Sequence, residues 1–147
     1  MSLQACRVAV SVSRIKVEEK GKQAVFLNPG NEEHTKTKVD GCLIRGSTAC
    51  DWVVSRPDCG DILVELKGCD VDRALEQVRA TIKYWKSAGY AQPRIAALVV
   101  CSRYPRFDTK LQRAKVEFKR KFNAPIHLFA RNIECCVHDL LTYQGRA

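Results

Sequence analysis

Between Ile62 and Cys101 the hydrophobic period of this chain changes twice, and few architectures accommodate that change. Ile62 to Leu66 is a short, almost wholly apolar run, the pattern of a strand buried on both faces. Gly68 ends it. Val71, Ala74, Leu75, Val78, Ile82 and Trp85 then recur at spacings of three and four, which marks one face of a helix. Asp70 is a suitable N-cap and Gly89 a suitable C-terminal stop. Arg94 to Cys101 reads as a buried strand, apolar without a break from Ile95. A strand, a covering helix and a second buried strand predict a crossover in an α/β sheet.

The flanking segments extend this unit. Residues 7–17 and 23–28 are β-prone around the turn-like Glu18-Glu19-Lys20-Gly21-Lys22, and Asn28-Pro29-Gly30-Asn31 is a break. Thr35 to Ile44 and Cys50 to Val54 read as two further strands before Ile62. After Cys101, a helix is predicted from about Asp108 to Phe122, with Leu111, Ala114, Phe118 and Phe122 inward. A short strand, Pro125 to Phe129, closes the pattern. The order βββαβαβ predicts one α/β domain over residues 1–147, a mixed sheet flanked by helices. Trp52, Trp85 and Phe118 read as core.

The 147 residues carry 25 Lys+Arg against 16 Asp+Glu, a net charge of +9, which favours a polyanionic partner, nucleic acid first. The charge is clustered. From Arg103 to Arg131 there are nine Lys or Arg residues and two acids, Asp108 and Glu117. On the second helix Lys115, Lys119 and Arg120 are the candidate phosphate contacts. The longest clean apolar run, Ile95 to Cys101, is far short of the roughly 20 residues a bilayer requires. Met1 to Arg7 does not read as a secretory leader. The expectation is therefore a soluble cytoplasmic protein. Eight cysteines without CxxC spacing are expected to be free thiols, several of them small hydrophobes within apolar runs.

One stretch carries candidate chemistry. Glu65 and Lys67 are two apart on the apolar strand and project to the same face, where an acid and an amine are costly without a partner or a task. Asp51, 14 residues before Glu65, reaches the same place across a hairpin-like connection. Two carboxylates can hold Mg²⁺, a hard cation that prefers oxygen ligands and retains waters. A neighbouring ammonium can position the attacking water or counter the charge of the transition state.

Asp51, then Glu65-Leu66-Lys67, Gly68 and an amphipathic helix, is a pattern that resembles the PD-(D/E)xK nuclease superfamily, whose fold is called restriction-endonuclease-like. The resemblance spans a motif-bearing core of about residues 35–129. It implies a central mixed sheet with flanking helices, and hydrolysis of phosphodiester bonds in DNA or sometimes RNA with Mg²⁺ or Mn²⁺. It also implies Asp51 and Glu65 as metal ligands, Lys67 as the catalytic lysine, and a homodimer as one arrangement for cutting two strands. Gln77, on the crossover helix, is the accessory residue it suggests. The literal Pro57-Asp58 falls in a turn only seven residues before Glu65, outside the pattern.

Two other functional classes fit parts of the same sequence. One is a nucleic-acid-binding module of this fold with little or no hydrolysis. The other is a cysteine-ligated metal or iron–sulfur protein whose acids are structural. Asp61 is expected to begin its strand facing water, Asp40 to sit at a strand-to-bulge position, and Asp70 and Asp72 to serve the helix start.

Overall fold

The computed structural model describes residues 2–66, 70–103 and 109–142. A one-turn helix α1 (Leu3–Cys6) leads into β1 (Arg7–Val10), and a hairpin follows from β2 (Arg14–Glu19) and β3 (Lys22–Leu27). Lys20 and Gly21, at its turn, have φ of 48° and 84°. Two positive φ values match the right-handed twist of the strands they join, so Gly21 is placed where backbone freedom is needed. Then come β4 (His34–Lys38), β5 (Trp52–Arg56), β6 (Gly60–Glu65), helix α2 (Val71–Ser87), β7 (Arg94–Val100), helix α3 (Thr109–Phe122) and β8 (Ile126–Phe129). β9 (Ile133–Cys135) and the short α4 (Val137–Leu140) end the described chain.

Six strands form the main sheet in the order β1-β4-β5-β6-β7-β8. β1, β4, β5 and β6 run antiparallel to their neighbours, whereas β6, β7 and β8 are parallel, joined through α2 and α3. A smaller sheet, β2-β3-β9, lies against the other face. The strand phase explains the layers. Val53, Leu63, Ala97 and Val99 point towards α2 and α3, while Val54, Ile62, Leu98 and Val100 pack with Ile15, Val17 and Phe26 of the hairpin. Both faces of β6 and β7 are covered, which is why residues 62–64 and 95–100 are continuously apolar. The shared core also makes the two sheets one α/β domain. No helix among the described residues is long and apolar enough to cross a membrane.

The helix signals hold at both ends of α2. Asp70 accepts the Arg73 N–H at 3.0 Å, an N-cap bond. At the far end Gly89 (φ 81°) donates to Lys86 O at 3.1 Å and Tyr90 to Trp85 O at 3.1 Å, the paired bonds of a Schellman motif. The Tyr90 and Trp85 rings meet edge-on at 5.2 Å and complete its apolar contact. α2 and α3 are stapled by Arg79, whose Nε and Nη2 meet the two Glu117 oxygens at 3.0 and 2.8 Å.

Several expectations are corrected. The predicted strand from Thr35 to Ile44 stops at Lys38, because Gly41 (φ 85°) turns the chain and its N–H bonds Ile44 O at 3.0 Å. Asp40 sits in that turn, bridged to Ile44. The eight cysteines are not all free: Cys6 and Cys42 form a disulfide, with Cα atoms 5.9 Å apart. Pairing of Arg7 with Thr37 brings Cys6 alongside the end of β4, and the turn returns Cys42 to meet it. Cys50, Cys59, Cys101, Cys135 and Cys136 are free thiols, and Cys69 lies outside the described residues. Trp52 is half-buried, with the Lys36 and Lys38 ammonium groups 5.6 and 5.3 Å from its ring centre.

Candidate active site

β6 carries buried carboxylates at both ends, on the side covered by α2. Asp61, Leu63 and Glu65 alternate onto that side, as Asp51, Val53 and Ser55 do on the neighbouring strand. Asp61 does not face water. The strand begins one residue earlier, at Gly60, so Asp61 takes the inward phase and is fully buried. Its Oδ1 accepts the Ser55 hydroxyl at 2.5 Å, and its Oδ2 accepts Trp85 Nε1 at 3.0 Å and the Gln92 N–H at 2.7 Å. Burial raises the Asp61 pKa; these three donors and the charge of Arg7 oppose that rise. The carboxylate ties β5, β6, α2 and the turn after α2 together.

At the other end Asp51 and Glu65 are neighbours. The last registered pair is Trp52 with Val64, and one step further places Asp51 beside Glu65 on the α2-facing side. Asp51 Oδ2 accepts the Leu66 N–H at 2.8 Å, so the carboxylate closes the end of the ladder in place of backbone. Asp51 N–H donates to Val64 O at 3.0 Å, and its carbonyl accepts the Val39 N–H at 3.0 Å. The residue is therefore fixed between β4 and β6. Asp51 is 1% exposed and Glu65 0%. The charges of both press on the buried Cys50 thiol, whose pKa is driven up first by burial and then by Glu65 and Asp51. Cys50 is an inert, protonated thiol here.

α2 grips the segment that carries Asp51. Gln77 Nε2 donates to Ala49 O at 3.1 Å, and Thr81 Oγ1 accepts the Cys50 N–H at 2.8 Å. Both side chains are buried. Gln77, the accessory residue suggested by the resemblance, meets the backbone two residues before Asp51, and Thr81 carries no such suggestion. Its only sequence signal is a hydroxyl residue four after Gln77, on the inward face of an otherwise apolar helix.

The helices define the direction of the site. Lys110 Nζ meets Asp72 Oδ2 at 2.7 Å, joining the first turns of α3 and α2, and Lys86 Nζ donates to Phe122 O at 3.3 Å, joining their last turns. The two helices therefore run parallel, with their N-termini at the Glu65 end and their C-termini at the Asp61 end. Their positive dipole ends favour anionic groups at the Glu65 end. Arg113 is exposed one turn into α3, while the exposed Lys119 and Arg120 are about 10 Å further along the axis. Lys115 is half-buried, close enough to His127 to help burial lower its pKa. Glu19, one of several acids near the N-terminus, is committed to Lys38 at 2.6 Å. Lys67, the predicted catalytic lysine, lies outside the described residues.

Among the described residues no three His, Cys, Asp or Glu side chains gather as a metal-binding group. Two carboxylates on adjacent strands, with oxygen donors only, suit a hard divalent cation that completes its shell with water and substrate. No family model, no curated protein and no solved structure matches this chain.

Proposed function

We propose that this chain is a nuclease that hydrolyses phosphodiester bonds, with DNA as its substrate and Mg²⁺ or Mn²⁺ as its cofactor. The observation that carries the reading is the placement of Asp51 beside Glu65 on the α2-facing side of adjacent strands. The mixed sheet with flanking helices, the resemblance of the Asp51 to Gly68 pattern to PD-(D/E)xK nucleases and the net charge of +9 support it. Asp51 and Glu65 would hold the ion through carboxylate oxygens. When bound, the ion supplies Lewis acidity towards a phosphoryl oxygen and acidifies a coordinated water. Lys67, two residues beyond Glu65, would hold the attacking water or counter the charge that develops on the phosphate. Parallel α2 and α3 direct their positive ends to the same side, which favours a phosphate there.

The test is incubation of the folded protein with duplex and single-stranded DNA and with RNA, in Mg²⁺ or Mn²⁺ and then in EDTA. Cleavage that needs the metal and falls by roughly 10²-fold in Lys67→Ala is the expected result. Sedimentation with and without duplex tests the homodimer. The near-complete burial of Asp51 and Glu65 favours a second reading, a nucleic-acid-binding module of the same fold with little hydrolysis. Tight, salt-sensitive binding without cleavage in either metal would select it.

A further inference from the structure

The Ala49–Cys50 peptide unit is held from both sides by one helix. Its carbonyl accepts Gln77 Nε2 at 3.1 Å, and its N–H is accepted by Thr81 Oγ1 at 2.8 Å. Residues four apart on α2 thus stand in for a neighbouring strand, satisfying a backbone segment that lies just outside β5. The direction of the Thr81 hydroxyl is itself set. Its hydrogen goes to Gln77 O at 2.8 Å, four residues back, which leaves an oxygen lone pair for the Cys50 N–H. Both side chains are buried, so water does not compete for these bonds. Asp51 follows this peptide unit directly, and its own N–H, carbonyl and Oδ2 are bonded to Val64, Val39 and Leu66.

We propose that Thr81 is a positioning residue for the candidate metal site: with Gln77 it clamps the Ala49–Cys50 peptide unit and thereby fixes the direction of the Asp51 carboxylate beside Glu65. The inference rests on the proposed nuclease reading, and it adds to that reading the element that sets the ligand geometry. Outer groups that orient a ligand typically matter by 10- to 100-fold in metal affinity. The clamp belongs to that class. Thr81→Val retains the branched shape and removes both hydroxyl bonds, whereas Thr81→Ser retains the hydroxyl.

The experiment titrates Mn²⁺ into the wild-type protein, Thr81→Val, Thr81→Ser and Ser55→Ala, with thermal melting and Cys50 amide exchange measured on each. Ser55→Ala removes a buried hydroxyl bond at the Asp61 end and serves as a destabilised control. The expected result is Mn²⁺ affinity lowered roughly 10- to 100-fold in Thr81→Val, close to wild type in Thr81→Ser and Ser55→Ala, with faster Cys50 exchange in Thr81→Val alone. Wild-type affinity in Thr81→Val, an equal loss in Ser55→Ala, or unchanged Cys50 exchange would overturn the positioning role and leave the nuclease reading standing. Absence of Mn²⁺ binding by the wild-type protein would overturn both together.

Discussion

The two ends of β6 place similar chemistry in different settings. At one end Asp61 is buried with Ser55, Trp85 Nε1 and the Gln92 N–H all donating to it, a carboxylate that joins strand, helix and turn. At the other, Asp51 and Glu65 lie side by side on adjacent strands, where the N-termini of two parallel helices converge. Burial is common to both ends and so does not distinguish a structural acid from a functional one. What differs is the company: side-chain and backbone donors drawn from β5, α2 and the turn after α2 meet Asp61, whereas Asp51 accepts the Leu66 N–H and has a second carboxylate, Glu65, beside it. Two carboxylates side by side form an oxygen-only donor pair of the kind a hard cation uses.

The largest expected effect tests this division by exchange. Asp51→Asn and Glu65→Gln should each lower metal-dependent cleavage by about 10³-fold, several kcal/mol of transition-state stabilisation, while the melting temperature holds or rises. Asp61→Ala should do the reverse. It strands three donors, two of them on buried side chains, costs about 3–5 kcal/mol and lowers the melting temperature by roughly 10 °C, with metal affinity retained in the folded fraction. If Asp51→Asn melted as early as Asp61→Ala and bound Mn²⁺ like the wild type, the two ends would be equivalent and the division would fail.

A smaller effect sharpens the character of Asp61. Its pKa is raised in the folded protein, chiefly by burial, so between the ordinary carboxylate value and the raised one the native state holds more protons than the unfolded chain. Stability should therefore fall as pH rises through that window, the sign set by proton linkage. Glu117 has the opposite sign: the Arg79 hydrogen bonds lower its pKa, so its contribution is lost on acidification. The difference between wild type and Asp61→Asn, followed by denaturant melts from pH 4 upwards, isolates the Asp61 contribution. An identical pH slope in the two proteins would show that Asp61 is not the group responsible.

The smallest effect concerns the basic helix. Phosphate contacts make log K fall with log salt by about 0.9 for each phosphate on duplex DNA. If the duplex sits over the Glu65 end, Arg113→Gln should flatten the slope by nearly that amount, and the pair Lys119→Gln with Arg120→Gln should change it less. If the duplex lies along the whole of α3, the pair should flatten it by about twice as much.

Much of the architecture was readable because its signals are local. The apolar run before Glu65, the helical period from Val71 to Trp85 and the punctuation by Asp70 and Gly89 each lie within a few residues, and each element formed close to where it was expected. Short pieces without a period, α1, β9 and α4, left no comparable trace. The end of β4 was misjudged because Gly41 turns a segment whose composition still resembles a strand.

The sequence by itself determined the strand–helix–strand unit, and with it the phase that turns Glu65 to the α2 side of β6. Only the tertiary structure decided which groups Glu65 meets. The register of β5 on β6 brings Asp51 beside it, and the approach of α2 supplies Gln77 and Thr81 from 28 and 31 residues away. The same long-range pairing closes Cys6 on Cys42 across 36 residues, and turns Asp61 from an expected surface acid into a buried junction. Periodicity reports which way a side chain points relative to its own backbone. What it points at depends on contacts between distant segments, formed only when the whole core is buried together.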